Sequence, residues 1–151
     1  MATIAKGAST GGSAAYALRI LAVILGVFFF FNGIGKLSWF LDGGILADRL
    51  DQWLAGAHPA SRWYIEILKP GLPLFARLVP AGEIAVGAAL AVGFWTRLAA
   101  WVGLLMVANF HVAQGLVFSM GILTDGVGLP VLGGLLALGI AGDRLPFSVS
   151  K

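Results

Sequence analysis

Six polar residues, Asn32, Arg77, Glu83, Asn109, His111 and Gln114, stand inside otherwise apolar stretches of this 151-residue chain. A charge near the centre of a bilayer costs ~2.5–3.5 kcal/mol on insertion scales, so such residues face inward and find partners. A carboxylate and an imidazole held together in apolar surroundings bind a polar headgroup and exchange protons with it. Glu83 and His111 are the pair that spacing brings to similar depth. Counted from the Trp95-Thr96-Arg97 turn at ~1.5 Å per residue, Glu83 lies roughly 19 Å along the preceding segment, and Asn109 and His111 roughly 20 and 23 Å along the following one. Arg77 and Gln114 come out level at roughly 28 Å, and Asn32 ends an earlier apolar run on the same side. Arg77 and Glu83 are six apart, off one ideal helical face, but Pro80 lies between them and a proline kink changes that angle.

The chemistry expected of this set is a polar pocket formed by Arg77, Glu83, His111, Gln114 and Asn32, suited to a quinone headgroup. Glu83 is expected to pair with His111, and Arg77 with Gln114 or a lipid phosphate. Two other roles fit the same residues: a buried hydrogen-bonded network that fixes helix register, or a contact for a partner chain.

The elements that must position these residues follow from composition. Hydrophobic residues make up 59% of the chain and Asp, Glu, Lys and Arg only 11%, against about 25% charged in soluble domains. A water-soluble surface cannot be covered by so few charges; lipid as the solvent removes the need. The chain has no cysteine, which excludes disulfides, iron–sulfur clusters, thiolate metal sites and thioether haem attachment. Two histidines, His58 and His111, leave little room for a histidine metal site, and a net charge of +3 has nothing of a nucleic-acid surface. No covalent cofactor is expected; a quinone, lipid or pigment are the candidate bound molecules.

Apolar windows cover about residues 16–35, 72–94, 98–118 and 126–141, each near the roughly 20 residues that cross a ~30 Å hydrocarbon core. The expected fold is therefore all-α: an integral membrane four-helix bundle occupying 16–145, after a flexible N-terminus at 1–15 and before a tail at 146–151. The fourth window is short, and three spans plus an interfacial piece is the alternative. Between the first two windows runs a long loop, 36–71, with four of the seven acidic residues. In it Ile45, Leu46, Leu50, Trp53 and Leu54 recur at helical spacing with Asp48, Arg49, Asp51 and Gln52 opposite, the pattern of an interfacial amphipathic helix. Trp39, Phe40, Trp53, Trp63 and Tyr64 supply an aromatic belt on that side.

Small residues recur every fourth position at Ala81, Ala85, Ala89 and Gly93, and again at Gly133, Ala137 and Ala141. Such ridges let helices approach closely in lipid, so they are expected to pack the bundle or to meet a partner subunit. Basic residues number five (Lys6, Arg19, Arg97, Arg144, Lys151) on the side of the termini and four (Lys36, Arg49, Arg62, Lys69) on the other, a slight excess from which the termini are expected in the cytoplasm.

Arg19, Leu25-Gly26, Phe30, Gly33 and Lys36-Leu37, followed by Glu83, Gly87, Leu90, Gly93 and Thr96-Arg97-Leu98-Ala99, resemble the first- and second-helix patterns of the DoxX-like family; Met106 and Gly142-Asp143-Arg144-Leu145 fit more loosely. The resemblance implies a small four-helix protein of the bacterial or archaeal cytoplasmic membrane, related to subunits of a thiosulfate:quinone oxidoreductase and to partners in oxidative-stress complexes. It carries over no catalytic residues, and Arg19, Lys36 and Arg97 read as interfacial anchors. The expected function is a non-autonomous accessory or structural subunit of a membrane redox complex, respiratory or photosynthetic, with lipid and other membrane subunits as partners. A quinone-interacting oxidoreductase subunit is the alternative. A small transporter is disfavoured by the lack of an internal repeat.

Overall fold

Backbone amides in hydrocarbon have no water to bond, so apolar runs of this length close their hydrogen bonds within helices. The computed structural model describes residues 10–142 and 145–149. Among the described residues the chain is all-helical: α1 Thr10–Ile34, α2 Gly44–Leu54, α3 Pro59–Leu68, α4 Leu72–Val92, α5 Thr96–Ala113, a single turn α6 Gly121–Thr124, and α7 Leu129–Ala141, with 3-10 turns at Leu37–Phe40, Lys69–Gly71 and Leu116–Phe118. Three helical stretches, Gly12–Ile34, Pro59–Val92 and Thr96–Ala113, are long and apolar enough to cross a membrane. The chain is a multi-pass membrane protein in contact with lipid. The last helix has 13 residues, about 20 Å at the α-helical rise, and packs chiefly on α5 and secondarily on α1.

Helix α1 packs most extensively on α4, and glycine sets how closely. A Cβ on Gly26 would lie 2.5 Å from the Ala91 amide nitrogen and 2.8 Å from the Gly87 carbonyl, and one on Gly87 would fall on the Phe30 amide. Gly33 meets Pro80 and Ile84 in the same way, its Cβ position 2.9 Å from the Pro80 carbonyl oxygen. These obstacles are backbone, so nothing can yield without the helices parting. The seam is therefore Gly26, Gly33 and Gly87. The small-residue ridge is not: Ala81 and Ala85 are exposed, Ala89 and Ala137 half-buried, and Gly133 faces open space. Periodicity identified small residues but could not say which azimuth faces the neighbour. Gly93, also assigned to that ridge, instead terminates α4 at φ 75°, where the Phe94 amide returns to the Ala89 carbonyl at 2.8 Å; only glycine takes this conformation freely.

Arg19 is corrected from an interfacial anchor to a buried staple. It is 9% exposed, and its guanidinium donates to the Leu90 carbonyl at 2.9 Å and the Ala91 carbonyl at 2.6 Å. These carbonyls belong to the last turn of α4, which has no helical partner for them and carries partial negative charge. Arg19→Met is expected to lower stability by about 1.5–3 kcal/mol, the worth of hydrogen bonds to a charged group. Thermal unfolding in detergent micelles checks this; an unchanged midpoint would count against the staple.

The boundaries differ from the apolar windows at three places. Residues 10–15 are helical, while the remaining N-terminal residues lie outside the described ones. The third helix ends at Ala113 because Gly115, at φ 75°, turns the chain into a 3-10 turn before Phe118. The fourth begins at Leu129 with Pro130 in its first turn, where the missing amide costs nothing.

The 36–71 connection folds into two helices. The Asp42 carboxylate accepts from the Gly44 amide at 2.8 Å where α2 starts, and His58 Nδ1 accepts from the Ala60 amide at 3.3 Å where α3 starts. On α2, Leu46 and Leu50 are buried and Ile45, Trp53 and Leu54 half-buried against a second core of Trp39, Ile65, Ala76 and Ala113. The expected interfacial helix thus spends its apolar face on the protein itself, capping the ends of α4 and α5, with Asp48, Arg49, Asp51 and Gln52 exposed. A carbonyl of Asn109, among the polar residues of the third window, accepts from the Tyr64 hydroxyl and ties α3 to α5.

Candidate functional site

The tight α1–α4 seam carries the end of α1 directly past the middle of α4. Lys36, two residues beyond α1, lays its ammonium between both oxygens of Glu83, at 2.7 and 2.6 Å. The Glu83 side chain is 5% exposed and that of Lys36 22%. The same Nζ lies 5.9 Å from the centre of the Trp39 ring and 5.8 Å from that of Phe110, within cation–π reach. A buried carboxylate is thereby given a cation, and the cation an aromatic surround, which is what a low-dielectric site demands of a charge pair.

His111, on α5, is 2% exposed. Its Nδ1 is 2.7 Å from the Val107 carbonyl oxygen, and since a carbonyl only accepts, Nδ1 carries the hydrogen. Nε2 is then the nitrogen left to meet other groups. It is buried without a hydrogen-bond partner among the described residues; Asp125 Oδ1 is 3.6 Å away, beyond hydrogen-bond range for this pair. Asp125 itself is held by the Val127 amide at 2.9 Å.

These groups line one cavity of ≈ 290 Å³ between the end of α1, the middle of α4 and the end of α5. Its polar wall is Asn32, Lys36, Glu83, His111, Gln114 and Asp125, with Arg49 also on its lining, and its apolar wall includes Phe28, Trp39, Trp53 and Phe110. Such a mixture, mostly apolar with a few convergent polar groups, is the usual make-up of a small-molecule site. No group of three or more His, Cys, Asp or Glu side chains that could hold a metal ion is found among the described residues.

Of the five pocket residues expected from the sequence, Asn32, Glu83, His111 and Gln114 line this cavity and Arg77 does not. Arg77 is exposed, donates to the Pro73 carbonyl of its own helix at 2.8 Å, and borders a separate groove. The expected Glu83–His111 pair is corrected: Glu83 turns to Lys36, and His111 faces Asp125. Arg77 likewise does not meet Gln114. Lys36 and Asp125 were missed. A signal for Lys36 existed, because Asn32 and Lys36 are four apart, on one helical face, and a carboxylate at mid-span needs a cation. Asp125 had none, since it arrives on the irregular segment between α5 and α7.

Compared with known proteins, the chain matches the family model described as DoxX over residues 17–113. No curated protein matches it, and no solved structure does.

Proposed function

The chain belongs to the DoxX family, and from that premise we propose that it is a non-autonomous subunit of a membrane electron-transfer complex whose cavity receives a quinone headgroup. The observation that carries this is the convergence of the unpartnered His111 Nε2 and the Lys36–Glu83 pair on one aromatic-walled cavity at the depth of the apolar helices. A quinone supplies the two-electron chemistry when bound, with electrons from a donor in a partner subunit and two protons taken up per reduction. The chain's own residues bind, orient and exchange protons. Lys36 offers an ammonium hydrogen to a carbonyl oxygen. His111, its Nδ1 hydrogen committed to Val107, accepts or returns a proton only at Nε2, and Glu83 balances the charge. Trp39 and Phe110 exclude water and give a planar ring flat surfaces to lie against.

In this reading α7 completes a four-helix bundle in a bacterial or archaeal cytoplasmic membrane, with the termini inside. An accessory role without ligand is the second reading, favoured by the outward-facing small residues Ala81, Ala85 and Gly133, which suit close docking of another helix.

Trp39 and Trp53 line the cavity and provide the readout. Titration of the purified protein with decylubiquinone is expected to quench tryptophan fluorescence saturably. Glu83→Gln, which removes the counter-charge that positions Lys36, and His111→Ala, which removes Nε2, are each expected to weaken binding about tenfold, a loss the size of one hydrogen bond. Unsaturable quenching, or both variants binding as the wild type does, rules the quinone reading out and leaves the accessory one.

A further inference from the structure

Trp39, which lines the cavity, also borders a second groove of ≈ 420 Å³, formed by the turn from Trp39 to Gly44 and the first two turns of α4. We propose that this groove binds one anionic phospholipid, its phosphate on Arg77 and an acyl chain along Phe40, Leu41 and Ala76. The site is separate from the quinone cavity and does not depend on that reading.

The argument begins with an uncompensated charge. Arg77 lies within α4, a helix of the apolar stretch that crosses the membrane, yet it is exposed rather than turned inward. Among the described residues no acidic side chain forms an ion pair with it, and its one hydrogen bond is to the Pro73 carbonyl. The other arginine near hydrocarbon depth on the seam is treated differently: Arg19 is buried and given two carbonyls. A guanidinium on the lipid side of a spanning helix finds its counter-charge outside the protein. It has five donors in a planar fork that matches phosphate oxygens two at a time, and one hydrogen bond leaves most of them to be used.

Position and shape select a lipid over another anion. Arg77 is five residues from the start of α4, about 7.5 Å along the axis, a distance its own side chain spans to reach headgroup level. Beside the guanidinium the groove is lined by Trp39, Phe40, Leu41 and Ala76, and Leu41 is 94% exposed, a leucine that belongs against hydrocarbon. A phosphate joined to an acyl chain satisfies both features at once; a free phosphate or an acidic peptide satisfies only the first.

Native mass spectrometry of the purified protein, offered phosphatidylglycerol or phosphatidylcholine with the same acyl chains, tests the proposal. The wild type is expected to retain one phosphatidylglycerol in preference to phosphatidylcholine. Arg77→Gln is expected to reduce that retention about tenfold. Gly43 lines the groove with its Cβ direction 3.8 Å from Ala76 Cβ and no closer neighbour, so Gly43→Leu fills the groove without altering charge and is expected to release both lipids. Undiminished retention of phosphatidylglycerol by Arg77→Gln overturns the proposal, as does Gly43→Leu behaving like the wild type. An acidic protein co-purifying with the wild type and lost with Arg77→Gln, in place of lipid, overturns it too.

Discussion

Lys36→Met is expected to destabilise the protein by ~3–5 kcal/mol, the penalty for leaving a buried charge without its partner. Glu83 is 4% exposed and both its oxygens are taken by Lys36. With methionine at position 36 the carboxylate keeps its desolvation cost and loses its cation, and it must take up a proton or open the α1–α4 seam. Glu83→Gln is expected to be milder. The Lys36 side chain is 22% exposed and sits at the end of α1, so its flexible stem can carry the ammonium out towards headgroups. The double variant Lys36→Met with Glu83→Gln removes both charges and is expected to recover most of the stability lost in Lys36→Met alone. Unfolding of the four proteins in mixed micelles gives the coupling directly. Additive losses would mean that the pair does not hold the structure. The double variant also separates structure from function: it is expected to fold and still bind decylubiquinone at least about tenfold more weakly, because the ammonium offered to the headgroup is gone while His111 remains.

The second large effect is expected at Gly87. Gly87→Val places branched carbons on the backbone of α1 at Phe30, opposite Gly26. Overpacking of a well-packed interior costs about 1–3 kcal/mol and sometimes more, and here the upper end is expected because the obstacle is main chain. The consequence is not confined to packing. The Arg19 bonds to Leu90 and Ala91 lie towards one end of the seam and the Lys36–Glu83 pair towards the other, so forcing the helices apart lengthens both. Gly87→Val should therefore lose thermal stability and quinone quenching together. Gly133→Ala is the matched control: its Cβ direction is open, and a change within about 0.5 kcal/mol is expected. A Gly87→Val protein that melts as the wild type does would mean that α1 and α4 are not in backbone contact.

Much of this architecture was legible without coordinates, for a physical reason. A chain with 59% hydrophobic and 11% charged residues has no aqueous surface to present, and hydrocarbon permits only helices for isolated spans. The apolar helices and the amphipathic pattern of α2 followed, as did the expectation that Glu83 and His111 belong to a polar interior. Depth along a helix is also readable, since it accumulates at a constant rise per residue from a known turn; that is why Asn32, Glu83, His111 and Gln114 were all placed in the half of the membrane nearest the long loop, and they do line one cavity.

Direction around the helix axis was not readable in the same way. Whether Glu83 meets His111 or Lys36, whether Arg77 faces the cavity or the lipid, and whether Ala81 and Ala85 form the seam or the outer face all depend on how α4 is rotated against α1. That rotation is set by backbone-to-backbone approach at Gly26, Gly33 and Gly87, contacts between residues far apart in the chain. Asp125 reaches His111 only because the segment after α5 breaks at Gly115 and doubles back before α7. Composition and periodicity determined the solvent, the helices and the level of the polar site; close packing of two helices and one irregular return decided which groups face one another in it.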